Sequence, residues 1–211
     1  MSLLAHTRLR ITISRAAVVA VLALIALPAG ALASGSTLAT CPSQPVSTPF
    51  SQWGDTNSYF LSPGGSFEGT ADQVGWSLSG ASLTTGNEPF SVNGSGGGQS
   101  LSIAGGGTAT SPFFCVDNTM SSLRFLAQQV SPGAGLRVQA LVQSAGGVTT
   151  VPIAHLLDGS MSTWAPTDPI SADTSGLADG QSVMVALQFT VRASAASWQI
   201  DDVYVDPYRS G

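Results

Sequence analysis

Val183, Val185, Leu187, Phe189 and Val191 alternate with Met184, Ala186, Gln188, Thr190 and Arg192. Side chains that repeat every second position share one face of a β-strand, whereas a helix would scatter the same residues around its circumference. A strand with so apolar a face has to be covered by a second layer, so the segment demands a sheet and something packed upon it. Leu136 to Gln143 repeats the pattern, with Val138, Ala140 and Val142 opposite Arg137, Gln139 and Gln143. Shorter strands are expected at Val148 to Ile153, Ser100 to Ile103, Phe113 to Val116 and Trp76 to Leu78. Between them lie clusters rich in Gly, Ser and Pro that read as turns: Pro63-Gly64-Gly65, Gly94 to Gly98, Gly105 to Gly107, Pro132-Gly133 and Ala145-Gly146-Gly147.

Residues 119–130 fit two periods. Met120, Leu123, Ala127 and Val130 have helical spacing, while Leu123, Phe125 and Ala127 alternate as in a strand. Strand neighbours on both sides favour a strand, and either reading leaves Arg124 and Gln128 on the surface. Many short strands divided by such turns predict an all-β sandwich or barrel. The chain shows no internal repeat and no linker, which predicts one domain over 51–211, preceded by an extended lead-in at 34–50 held by Cys41.

The first 33 residues read as a secretory leader. Arg8, Arg10 and Arg15 make a basic start, Ala16 to Leu27 form an apolar run, Pro28 breaks it, and Ala31-Leu32-Ala33 is an A-x-A cleavage site. The run is shorter than the roughly 20 residues a membrane helix needs. The alternative is a lipoprotein leader ending at Leu38-Ala39-Thr40-Cys41; the threonine before Cys41 and the long gap after the apolar run speak against it. Without the leader the chain keeps four arginines and no lysine against twelve acids, a net charge of −8. Nucleic acid is an unfavourable partner for such a chain, because phosphate has to be neutralised by basic groups. Export also bears on the two cysteines, Cys41 and Cys115. In an oxidising compartment one disulfide is the economical reading, two separate buried thiols the alternative.

Catalytic constellations are thin. His155 and Asp158 are the sole histidine–carboxylate neighbours in the exported part, no serine sits in a G-x-S-x-G elbow, and a histidine at a strand end has a structural role in most proteins. The glycine-rich turns lead into strands, not helix N-termini, so they do not cradle phosphate. One histidine and a disulfide leave too few ligands for zinc. Glu68 and Glu88 would have to face each other across a groove to serve as a glycosidase pair. No catalytic residue is assigned.

The closing stretch Trp198-Gln199-Ile200-Asp201-Asp202-Val203-Tyr204-Val205-Asp206-Pro207 holds a quarter of the twelve acids. Strand alternation puts Asp201 and Asp202 on opposite faces, and because both faces carry apolar residues, at least one carboxylate belongs near the core edge. A buried carboxylate requires N–H donors, a cation or a raised pKa. With so few arginines, backbone donors or a hard cation such as Ca2+ remain.

Gly64-Gly65-Ser66-Phe67-Glu68-Gly69 followed by Gly75-Trp76 resembles the "N-x-x-F-E … G-W" opening of carbohydrate-binding modules of families four, nine and twenty-two. Gly98-Gln99-Ser100-Leu101 is similar to their next strand, and Ile200-Asp201-Asp202-Val203 to their closing strand. The whole also resembles a group of uncharacterised exported bacterial proteins with the same two ends. The resemblance implies a single jelly-roll β-sandwich of the galactose-binding-domain type. It also implies a structural Ca2+ held by Glu68 with Asp201 or, as second choice, Asp202. The sugar-stacking aromatics of those modules have no fixed motif. Here Trp53, Tyr59 and Trp164, in polar turn-like surroundings, are the candidates for ligand binding, while Trp76 and Trp198 lie within strand patterns and belong to the core. The function expected is non-catalytic binding of carbohydrate outside the cell; the alternative is a structural or adhesive envelope protein with a protein partner.

Overall fold

The computed structural model describes residues 41–94, 97–174, 176–193 and 195–208. The expected leader at 1–33, the start of the lead-in and the centre of the Gly94–Gly98 turn lie outside them. Among the described residues the strands run β1 (Phe60–Leu61), β2 (Ser77–Thr85), β3 (Gln99–Thr110), β4 (Phe114–Asp117), β5 (Ser122–Ser131) and β6 (Leu136–Ser144). They continue with β7 (Gly147–Leu156), β8 (Ala165–Pro166), β9 (Ile170–Ser171), β10 (Ser182–Val191) and β11 (Ser197–Asp206). A 3-10 turn at Ser51–Trp53 and a one-turn helix, α1 (Ala71–Val74), are the helical pieces. The Thr70 hydroxyl caps α1 by accepting from Gln73 N–H while the Gln73 side chain accepts from Thr70 N–H, a reciprocal capping box.

All pairings are antiparallel, in the order β7-β6-β10-β3-β11-β5-β8, with β1 on β11, β2 on β3, β4 on β10 and β9 on β5. The long strand β3 joins the two halves. Its first part pairs with β11 from Leu101 to Ala104, and its last part with β10 from Thr108 to Thr110. Gly105-Gly106-Gly107, expected as a turn, is instead a bend within this strand. Opposite it β2 shifts register between Ser79 and Ala81. A Cβ on Gly107 would lie 2.3 Å from the carbonyl oxygen of Gly80, so the two backbones approach as only glycine permits. The sheet thereby curls into two layers, and the chain is an all-β jelly-roll sandwich.

The core follows the period-two pattern. Val185, Leu187, Phe189 and Val191 of β10 and Val138 and Ala140 of β6 face Phe125 and Ala127 of β5 and Trp198 and Ile200 of β11. Phe125 meets Phe189 edge-on at 5.1 Å between ring centroids, and Trp76 lies tilted against Phe189 at 5.8 Å and edge-on to Phe67 at 4.9 Å. Trp76 donates to the Pro63 carbonyl and Trp198 to the Ala134 carbonyl, which satisfies each buried indole N–H. Both tryptophans expected in the core are there.

Residues 119–130 form a strand, β5, for most of their length, and the mixed pattern has a cause. Both faces of β5 are covered: Leu123, Phe125 and Ala127 point into the main core, while Leu126 joins a second cluster with Phe50, Tyr59 and Tyr204. Arg124, expected on the surface, is buried under this cluster. Its guanidinium lies 4.4 Å from the Phe50 ring, pairs with Asp55 at 2.5 Å and donates from Nε to the Thr167 carbonyl. The covering comes from the lead-in, which is held by more than Cys41: Ser47 and Tyr59 exchange backbone hydrogen bonds of 2.9 and 2.8 Å, and Phe50 is fully buried. Cys41 and Cys115 form the disulfide, with a sequence separation of 74. Among the described residues no helix is long and apolar enough to cross a membrane.

Candidate functional site

Two features meet at the end of the sandwich where β11 passes β1: a buried group of carboxylates and an aromatic surface. The carboxylates owe their placement to a break in β11. Pairing with β5 shifts register between Asp201 and Tyr204, and Asp202 adopts a left-handed φ of 48°. Strand alternation had put the two aspartates on opposite faces; this bulge turns both inward, leaving Asp201 2% and Asp202 1% exposed. Gly65 fits against the bulge, its carbonyl accepting from Val203 N–H at 3.0 Å.

The acid beside them is Glu88, 1% exposed, on the loop after β2. Asp201 accepts from the backbone N–H of Glu88 at 3.3 Å and of Asp202 at 2.9 Å. The Asn93 amide donates to Asp202 at 3.0 Å. Glu88 folds back on its own loop and accepts from Phe90 N–H and from Val92 N–H. Glu68, the acid expected against Asp201, lies at the margin, accepting from Gly98 and Gln99 N–H at 2.8 and 3.0 Å and acting on Asp202 through its charge. Glu88, considered from sequence only as a glycosidase partner for Glu68, was not expected beside the two aspartates, because it lies in turn-rich sequence with no strand to fix its direction.

Burial, with the charge of Asp202 added, pushes Asp201 up to about 9. Burial likewise raises Asp202 to about 7, the Asn93 amide pulling it down and the charge of Glu88 pushing it up. Among the described residues, no arginine or histidine donates to these carboxylates. Oxygen donors gathered without a counter-cation have the chemistry a hard cation such as Ca2+ requires. As placed, each carboxylate is turned onto N–H donors, and among the described residues no three acidic, histidine or cysteine side chains converge on one point as metal ligands would.

The loop that supplies Glu88 also carries the aromatic surface. Phe90 meets Trp53 edge-on at 4.9 Å, and Trp53 rests against Phe50 at 6.2 Å. Trp53 is 36% exposed, with Gln52, Thr56 and Asn57 exposed around it. Trp164 is half-buried and packs against the cluster of Phe50, Tyr59, Leu126 and Tyr204 from its own loop. The three aromatic candidates are thus drawn to one small cluster. Tyr59 differs from the expectation: it is fully buried, and its hydroxyl donates to Asp55 at 2.7 Å, so its ring has no free face. Burial and this bond raise its pKa to about 12. For Asp55 burial acts upward, but the bonds from Tyr59 and Arg124 outweigh it and hold the carboxyl below its ordinary value.

A groove of about 390 Å3 follows Trp164 along the chain, bordered by His155, Ser160, Met161, Pro166, Thr167 and Asp168. His155 is exposed on β7, and Asp158 accepts from Gln129 Nε2 and Gly133 N–H. Glu88 is too buried for a substrate bond to pass between it and Glu68.

No family model matches the chain, and no curated protein matches it. Among solved structures, the N-terminal CBM22-1–CBM22-2 tandem domain of Paenibacillus barcinonensis Xyn10C shares the fold with a TM-score of 0.52 at 15% identity, covering 74% of this chain and 47% of that one. This chain therefore spans about half the length of that tandem. The CBM22-1 xylan-binding domain of the same protein matches with a TM-score of 0.49 at 15% identity, over 69% of this chain and 93% of that one. The K2 cleaved adhesin domain of Lys-gingipain matches with a TM-score of 0.43 at 12% identity, over 70% and 98%. At such identities the likeness defines the architecture, a jelly-roll β-sandwich.

Proposed function

We propose that this chain is an exported, non-catalytic binding module for carbohydrate at the cell surface or outside the cell. The observation that carries the reading is Trp53, a tryptophan held edge-on by Phe90 and left open to solvent among polar side chains. A sugar ring presents an apolar C–H face and a polar rim, and an indole flanked by amides and hydroxyls complements both. Trp164, half-buried on the same aromatic cluster, would serve a second sugar unit. The disulfide and the leader-like N-terminus support export, and the fold shared with the CBM22 tandem domain supports the binding class.

A structural Ca2+ is the second part of the proposal. As the resemblance implies, Glu68 with Asp201 or, as second choice, Asp202 would hold it once these carboxylates turned from the N–H donors that now engage them, and it would supply the positive charge that Asp201 and Asp202 otherwise obtain from protons. The cation would act on the stability of the loop that presents Phe90, not on the sugar.

Affinity electrophoresis on a panel of polysaccharides tests the binding. The parent should be retarded by at least one of them, and Trp53→Ala should lose about 2 kcal/mol or more of binding, the scale of a central tryptophan contact, while remaining folded at the assay temperature with a midpoint lowered by the lost Phe50 and Phe90 contacts. Free migration of the parent through every polysaccharide would remove the reading.

A further inference from the structure

The asparagines of the chain are Asn57-Ser58, Asn87-Glu88, Asn93-Gly94 and Asn118-Thr119, each given with the residue that follows it. An asparagine carboxamide is open to attack at Cγ by the backbone nitrogen of the next residue, and a side chain on that residue screens the approach. Gly94 has no such screen; it is exposed, with open space where a Cβ would stand. Asn93 is also the asparagine whose amide closes a loop onto the core, donating to the buried Asp202 at 3.0 Å. The same loop is fastened to β11 at a second point, where Glu88 N–H donates to Asp201 at 3.3 Å. Between the two fastenings Ser91 holds a left-handed φ of 52°, a strained conformation for a residue with a side chain, which favours release of the loop.

In the closed loop both reacting groups are engaged: the Asn93 amide by Asp202, and Gly94 N–H by the Ser91 carbonyl at 3.0 Å. We propose that Asn93 is a deamidation site that acts as a one-way latch, reacting with Gly94 when the loop opens and then unable to refasten to Asp202. The Gly94 nitrogen gives its proton to water or hydroxide and bonds to Asn93 Cγ; the Cγ–Nδ2 bond breaks and that nitrogen leaves, protonated, as ammonia. Water then adds to one of the two carbonyls of the five-membered imide and breaks its bond to nitrogen, leaving aspartate or isoaspartate. Either product sets a carboxylate where an N–H donor stood, facing the buried carboxylate of Asp202. Because the step is irreversible, it drains the open form of the loop. No sugar enters it, so the latch stands or falls apart from the carbohydrate reading.

The test keeps the purified protein in EDTA at mildly alkaline pH and body temperature and follows its mass over weeks. The chain should gain one mass unit, and fragment spectra should place it on Asn93 and not on Asn57, Asn87 or Asn118. The gain of mass separates this step from isomerisation at Asp158-Gly159 or Asp179-Gly180, which leaves the mass unchanged. In urea, where the loop is always open, the gain should run at least about tenfold faster. The acidic form, isolated by ion exchange, should unfold about 5 °C or more below the parent and match Asn93→Asp. Gly94→Ala, which returns a screening methyl into open space, should halt the gain; should that variant fail to fold, Asn93→Gln, whose longer side chain closes a ring far more slowly, takes its place. No gain in the folded parent while the urea-unfolded chain reacts, a gain placed on another asparagine, or a gain that survives these substitutions would each overturn the site. An equal rate in urea, or an acidic form that keeps the parent's midpoint, would overturn its action as a latch.

Discussion

Asp202 has a φ of 48°, a region where a non-glycine residue costs on the order of 1–3 kcal/mol, and it spends that energy in order to bring a second carboxylate inside. The result is a protein whose stability depends on what neutralises the acids. In the folded chain Asp201 titrates at about 9 and Asp202 at about 7, both well above the ordinary 3.8. The folded state therefore keeps protons that the unfolded chain releases near pH 4. That stability is full below pH 4 and is lost as the pH rises through 7 and then 9. Thermal unfolding in EDTA from pH 4 to pH 9 should show a midpoint that falls steadily. Asp201→Asn, which carries its own N–H in place of the proton, should flatten the upper half of the decline. Added Ca2+ should raise the parent's midpoint by several degrees, most strongly at high pH, where it replaces missing protons; a parent indifferent to Ca2+ at pH 8 would show that the acids are neutralised by protons and N–H donors alone. Arg124 is the second buried charge. Arg124→Ala strips the partner from Asp55 and the cover from Phe50, so unfolding measurements should find a loss of about 3–5 kcal/mol.

At the scale of elements, β3 is the strand on which the fold turns. Because Gly107 lies against the Gly80 carbonyl, Gly107→Ala must push β2 away from β3 at the bend, and the expected loss in denaturant unfolding is about 2 kcal/mol or more. Gly146→Ala, in the β6–β7 turn, meets nothing closer than 3.8 Å and should stay within about 1 kcal/mol of the parent. A glycine run reads as a turn in a linear scan because both a turn and a close backbone crossing need the missing side chain. The crossing is visible only when β2 lies alongside. Similarly, β5 gave a mixed pattern in sequence because a second cluster covers its outer face, and that cluster is assembled from Phe50 and Tyr59, more than 60 positions upstream, and Tyr204 of β11.

At the scale of the whole molecule, the disulfide and the second cluster together tie the lead-in to the sandwich. For a separation of 74 residues the chain-entropy estimate is roughly 4.5 kcal/mol, with measured losses for native disulfides of about 2–5 kcal/mol. The double variant Cys41→Ser with Cys115→Ser should accordingly unfold about 10 °C lower, and reductant should lower the parent toward it. Phe50 and Arg124 remain in place in that variant, so the drop should stop short of unfolding at room temperature.

Period two over β10 and β6 and the turn clusters determined from sequence alone that this is an all-β sandwich or barrel, and the cysteine pair made one disulfide the economical reading, because alternation and covalent pairing follow locally from residue type. The paired termini of the module-like motifs also placed Glu68 and the two aspartates in one region. Tertiary structure decided the rest. The bulge that turns both aspartates inward, the arrival of Glu88 beside them and the burial of Tyr59 and Arg124 around Phe50 all depend on segments distant in sequence. Periodicity tells which face of a strand is apolar; what covers that face is a property of the assembled chain.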